Sequence, residues 1–227
     1  MWLVTSPRGG GKTTTLLRAC LGLAQAATRD DGVGAVNGGG VLFVCMRARL
    51  DADPPEASVA AWRRGGGGEI DDVFEGDLGS GWQSPYRRVK VRYVDGPEDL
   101  KRILSCLHLL PPTARPTSIV IDDLDAILDA GAMESDRSRR SAASNEARAM
   151  KCLAYLANAS ELTRDGAGAS ISVPSDGTAD GATHRLYLYR RWFQTVCHLD
   201  EGGGNASTFS GSGAGGLGER RLRALIA

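Results

Sequence analysis

The residues best suited to chemistry lie near the start of the chain. Ser6-Pro7-Arg8-Gly9-Gly10-Gly11-Lys12-Thr13-Thr14 matches the phosphate-loop pattern GxxxxGK[ST], with Ser6 in place of the first glycine. Gly9, Gly10 and Gly11 allow the backbone to curl tightly, so that successive N–H groups face phosphate oxygens. Lys12 supplies a point charge for the β- and γ-phosphates, and the Thr13 hydroxyl has the reach of a Mg²⁺ ligand. A helix opening near Lys12 would set its unpaired N–H groups and positive dipole end under an anion, with Thr14 in its first turn. The second candidate is Ser118-Ile119-Val120-Ile121-Asp122-Asp123. An apolar strand ending in aspartate delivers a carboxylate beside such a loop. Asp122 is the expected Mg²⁺ holder, directly or through water. Asp123 has two readings: it orients or deprotonates an attacking water, or it is a strand-end carboxylate facing solvent. Asp125 reads as a helix cap or surface residue.

Those groups need elements to position them. Residues 1–5 read as a short buried strand and residues 12–27 as a helix with Leu16, Leu17, Cys20, Leu21 and Leu23 at helical spacing. Residues 41–45 (VLFVC) form the continuous apolar run of a strand covered on both faces. Residues 89–94 alternate as a strand. Pro97 fits the first turn of a helix over 97–110, where Ile103, Leu104, Leu107 and Leu110 share a buried face. Further strands are expected at 118–121, 169–173 and 195–199, with helices near 124–128, 142–162 and 186–193. Strand and helix alternate, which implies an α/β fold: a mostly parallel central sheet with helices on both faces, in three layers. Residues 51–85 read as a Gly-rich insertion with at most a short helix at 56–62. Residues 1–199 then form one nucleotide-binding core. Residues 200–227 form a Gly/Ser-rich tail with a short terminal element.

Composition sets bounds. The 227 residues are enough for one such domain, and 27 basic side chains balance 27 acidic ones. Bulk charge therefore points neither toward nor away from nucleic acid, and only local clusters can. The five cysteines are widely spaced and form no CxxC pair or metal-ligand spacing with histidine. They read as small buried hydrophobes in a reducing compartment. No apolar run reaches membrane-spanning length. A strand at the first residues leaves no place for a signal peptide, so cytosol or nucleus is expected. That strand is barely long enough for a central position, so one or two further upstream residues are expected to raise the melting temperature.

The loop, VLFVCMR at 41–47, VRYVDGPEDLKRILSCLHLL at 91–110, SIVIDDLDAIL at 118–128 and YRRWFQTVCHL at 189–199 occur in that order. Together they resemble the SWIM-domain-associated, RecA-like recombinase paralogues of the Shu complex. The resemblance implies a RecA-like P-loop NTPase core without a large N-terminal DNA-binding domain. It further implies ATP and Mg²⁺ as cofactors, with weak ATPase activity. The implied partners are a SWIM zinc-module protein, forming a heterodimer, single-stranded DNA and recombinase filaments in the nucleus during homologous recombination. Two positions depart from the RecA-like pattern. Arg47 stands where those enzymes carry a water-activating glutamate, and a guanidinium cannot accept a proton. Pro174 and Ser175 stand where a γ-phosphate-sensing glutamine is common. Both favour binding over fast turnover.

Basic clusters at Arg47 and Arg49, Arg63 and Arg64, Arg87–Arg92, Arg137–Arg140, Arg190 and Arg191, and Arg220–Arg223 could each neutralise backbone phosphates, or simply be solvated faces. By position, the loop 174–183 suits DNA contact. It holds no Arg or Lys, which leaves Arg190 and Arg191 as the DNA-binding candidates. The nearby Tyr187, Tyr189, Trp192 and Phe193 read as core or interface packing before base stacking. Two alternatives stay open: a small-molecule or nucleotide kinase, with Arg137–Arg140 as a lid, and a non-hydrolysing structural subunit whose interface nucleotide stabilises.

Overall fold

A computed structural model describes residues 1–6, 12–30, 40–47, 88–133, 142–172, 186–199 and 206–211. The expected readings at 51–85, Arg49, Arg87, Arg137–Arg140, 174–183, Ser175 and Arg220–Arg223 lie outside these residues, as do Gly9, Gly10 and Gly11. The described strands are β1 (Trp2–Ser6), β2 (Val41–Met46), β3 (Val89–Val94), β4 (Ser118–Ile121), β5 (Ala167–Ser172), β6 (Thr195–Leu199) and β7 (Ala206–Gly211). The helices are α1 (Lys12–Asp30), α2 (Pro97–Cys106), α3 (Leu124–Met133), α4 (Ala142–Glu161) and α5 (Leu186–Trp192). One sheet takes all seven strands in the order β3-β2-β4-β5-β1-β6-β7. Strands β1 to β6 pair in parallel, and β7 pairs antiparallel to β6. The expected mostly parallel α/β architecture is therefore observed.

Side-chain alternation sends each strand's residues to two separate cores. Leu3, Leu42, Val44, Ile119, Ile121, Ala169 and Ile171 face the layer of α2, α3, α4 and α5, where they meet Leu100, Leu104, Ile127, Leu153, Leu156, Tyr189 and Phe193. Val4, Val41, Phe43, Cys45 and Val120 face α1 and meet its Leu16, Cys20 and Leu23. The same α1 face carries Trp2, whose indole lies across Gly168. A Cβ at Gly168 would fall 2.1 Å from the ring. The pairing of Trp2 with Gly168 in the β1–β5 register places them side by side.

Several expectations need correction. The Gly/Ser-rich tail contains β7, which the sequence reading did not anticipate. Its residues lack a buried pattern in sequence, and pairing with β6 supplies the order. Helix α2 ends at Cys106 and tightens into a 3₁₀ turn at Leu107–Leu109. That turn leaves Leu110 exposed and outside the shared face that buries Leu104 and Leu107. Pro97 does occupy the first turn. Strand β3 is an edge strand, and Lys90 through Tyr93 are exposed on both faces. Four cysteines are buried, but Cys106 is exposed, and all five are free thiols. Among the described residues no helix is long and apolar enough to cross a membrane.

Candidate functional site

In a parallel sheet every strand's C-terminal end lies at one edge, and crevices there take ligands. β1 ends at Ser6, which is buried, and α1 begins at Lys12. β4 ends at the same edge, with β5 standing between it and β1. Asp122 continues the β4 pairing by one residue, because its N–H donates to the Val44 carbonyl at 2.8 Å. It therefore keeps the alternation of Val120 and emerges on the α1 side.

Here the two halves of the site meet. The Thr13 hydroxyl donates to Asp122 Oδ2 at 2.7 Å. Residues 109 positions apart in sequence are thereby brought together. A hydrogen bond to a charged group of this kind is worth about 1.5–3 kcal/mol. Since Thr13 gives its proton to Asp122, its lone pairs are left for a cation. Thr14 lies in the same first turn of α1 and is half-buried.

Lys12 is only 2% exposed. Burying an ammonium is costly without negative charge nearby, and the acidic turn after β4 supplies it. Asp122 and Asp123 are buried as well. Asp125 feels the Lys12 charge, which pulls its carboxyl pKa down. Burial is the larger influence and holds the Asp125 carboxyl above its ordinary value. The Ser172 and Ala126 backbone N–H groups, with its own, pull it partly back. Asp125 thus serves N–H groups of the first turn of α3 as a cap would, but it is not a surface residue. It reaches across to β5, accepting the Ser172 N–H at 3.3 Å.

Asp123 adopts a left-handed backbone, with φ of 55°, a conformation uncommon outside glycine and tolerated best by Asp and Asn. Two β5 hydroxyls hold it there. Its N–H donates to Ser170 Oγ at 2.9 Å, and its Oδ1 accepts from Ser172 Oγ at 3.0 Å. The solvent-facing reading of Asp123 does not hold, because it is 6% exposed. Ser170 also donates to Asp122 Oδ1 at 2.9 Å. Sequence reasoning missed both serines. A hydroxyl in a strand of small residues carries no signal until the adjacency of β4 and β5 is known.

The remaining candidates fall elsewhere. Arg47, one residue past β2, pairs with Asp95 at 3.4 Å and sits 6.0 Å over the Tyr93 ring. The guanidinium is thereby engaged at the exposed β3 edge. Arg190 and Arg191 are exposed on α5. Just beyond them, the Gln194 N–H donates to the Met1 carbonyl, which ties this end of α5 to the start of β1. The two arginines therefore lie toward the end of the sheet opposite Thr13 and Asp122. Tyr189 and Phe193 pack in the core, edge to face at 6.2 Å, as expected. Tyr187 is exposed, and its hydroxyl donates to Glu146 at 2.7 Å.

Among the described residues, no three carboxylate, imidazole or thiol groups converge as a metal cage. The donor set of one hydroxyl and one adjacent carboxylate suits Mg²⁺, which keeps several waters and borrows oxygens from phosphates. The sequence matches no family model, and no curated protein is significantly similar to it.

Proposed function

We propose that the chain is a RecA-like P-loop protein that binds ATP with Mg²⁺ and hydrolyses it slowly. In this reading it serves as an accessory subunit to a SWIM zinc-module partner. The pair binds single-stranded DNA and supports recombinase filaments in the nucleus. The observation that carries the nucleotide reading is the Thr13–Asp122 hydrogen bond at the opening of α1.

Residues 9–11 and the α1 N-terminus would cradle the phosphates, with Lys12 on the β- and γ-phosphates and Ser6 at the loop's entry. Thr13 would ligate Mg²⁺ and Asp122 would hold it through water, and the ion would neutralise charge between the phosphates. Asp123 is the carboxylate beside Asp122 for orienting water. With one oxygen already taken by Ser172, it is a modest base, which agrees with slow turnover. Arg47 gives a specific reason for a second reading, a subunit that binds nucleotide without turning it over. The end of β2 offers a guanidinium already paired with Asp95, not a carboxylate.

The deciding experiment is ATP binding and hydrolysis by the purified chain with a SWIM-domain partner, with and without single-stranded DNA, against Lys12→Ala. Binding and DNA-stimulated turnover that vanish in the variant support the recombination ATPase. Binding without turnover selects the structural subunit. Phosphate transfer to a small acceptor, or equal binding by Lys12→Ala, overturns the proposal.

A further inference from the structure

We propose that Ser170 is a positioning residue that sets how strongly this site demands a divalent cation. The inference rests on the nucleotide reading and deepens it. Ser170 is fully buried in β5, the strand interposed between β1 and β4. A buried strand serine would ordinarily satisfy itself on a neighbouring carbonyl. Here the hydroxyl is committed otherwise, and its direction is fixed by its partners.

An N–H can only donate, so the 2.9 Å contact with Asp123 N uses the Ser170 oxygen as acceptor. The single hydroxyl hydrogen is then available for Asp122 Oδ1, also at 2.9 Å. Asp122 consequently carries one hydroxyl on each oxygen: Thr13 from α1 and Ser170 from β5. A carboxylate fixed at both oxygens cannot turn about its side-chain torsions without breaking one bond. Ser170 thus holds Oδ2 toward Thr13 and keeps the Thr13 lone pairs aimed outward. Rotation of Asp122 would release the Thr13 hydrogen and spoil the cation's hydroxyl ligand, without removing any group assigned to the phosphates. The effect is therefore specific to the cation and spares the phosphates.

The test is titration of MgCl₂ into protein with a fluorescent ATP analogue, for wild type, Ser170→Ala, Ser170→Thr and Lys12→Ala. Ser170→Ala is expected to raise the Mg²⁺ concentration at half-maximal binding by about tenfold, with analogue affinity in EDTA unchanged. Ser170→Thr, which keeps the hydroxyl, should restore the wild-type requirement. An unchanged Mg²⁺ requirement in Ser170→Ala overturns the assignment, and so does an equal loss of affinity in EDTA. Binding that survives Lys12→Ala marks failure of the nucleotide reading instead. A crystal structure of Ser170→Ala decides the positioning role independently. Asp122 turned away from Thr13 supports it, and an intact Thr13–Asp122 bond sinks it.

Discussion

The two faces of the sheet are built for different purposes. On one, four helices bury an unbroken apolar layer from Leu3 to Val196. On the other, among the described residues, α1 packs alone, and the strands beneath it carry Gly168, Ser170 and Asp122 between their apolar positions. The first face supplies cohesion and the second holds the candidate site. Small and polar residues are affordable under α1 because the opposite face already holds the sheet together. The acidic turn links the two, since it leaves β4 on the α1 side and continues into α3 on the other.

Truncation should expose the division most clearly. Leu153 and Leu16 are both fully buried, on the four-helix face and on α1 respectively. Either Leu→Ala change is expected to cost about 2–5 kcal/mol in urea unfolding. If the proposed nucleotide reading holds, Leu16→Ala should also weaken ATP binding, because α1 carries Lys12 and Thr13. Leu153→Ala should leave affinity of the folded protein intact. Equal affinities in both variants would break the comparison.

Gly168→Ala tests the α1 face alone. The added Cβ meets the Trp2 ring at 2.1 Å, and overpacking of this kind costs about 1–3 kcal/mol. In a Trp2→Leu background the same change should cost less, since the ring is gone. An identical cost in both backgrounds would show that the ring is not what Gly168 accommodates.

The smallest effect concerns the linking turn. Burial raises the Asp125 carboxyl above its ordinary value of 3.8, so the folded protein holds that proton to higher pH than the unfolded chain. Its contribution to stability is fully present below the ordinary value and is lost as pH rises through the raised one. Asp125→Asn removes the titration. Relative to wild type, the variant should gain stability between pH 3 and pH 7 by urea melts. A constant difference across that range would place Asp125 in a more solvated setting.

Legibility in the sequence followed the same division. The apolar runs of β1, β2 and β4 announce themselves because both their faces are covered, and Asp122 is marked by ending such a run. Pro97 marks the start of α2 by its own geometry. What escaped depends on neighbours. β7 is ordered by β6 and not by its own Gly/Ser-rich residues. β3 is exposed because it lies at the edge, which its alternation does not reveal. Leu110 leaves the helical face only because α2 tightens into a 3₁₀ turn. Ser170, Ser172 and Asp125 gain their roles from the β4–β5 adjacency, a long-range fact that no local pattern encodes.

The place of β1 has a consequence for how the chain comes to be folded. It precedes every other described strand, yet it lies between β5 and β6, with Trp2 beside both Gly168 and Thr195. Its neighbours on either side thus follow β2, β3 and β4 along the chain. This interior strand must wait for both partners to emerge, a high-contact-order arrangement that slows folding and exposes the nascent chain to aggregation. Whatever binds at the start of α1 can only do so once that wait is over.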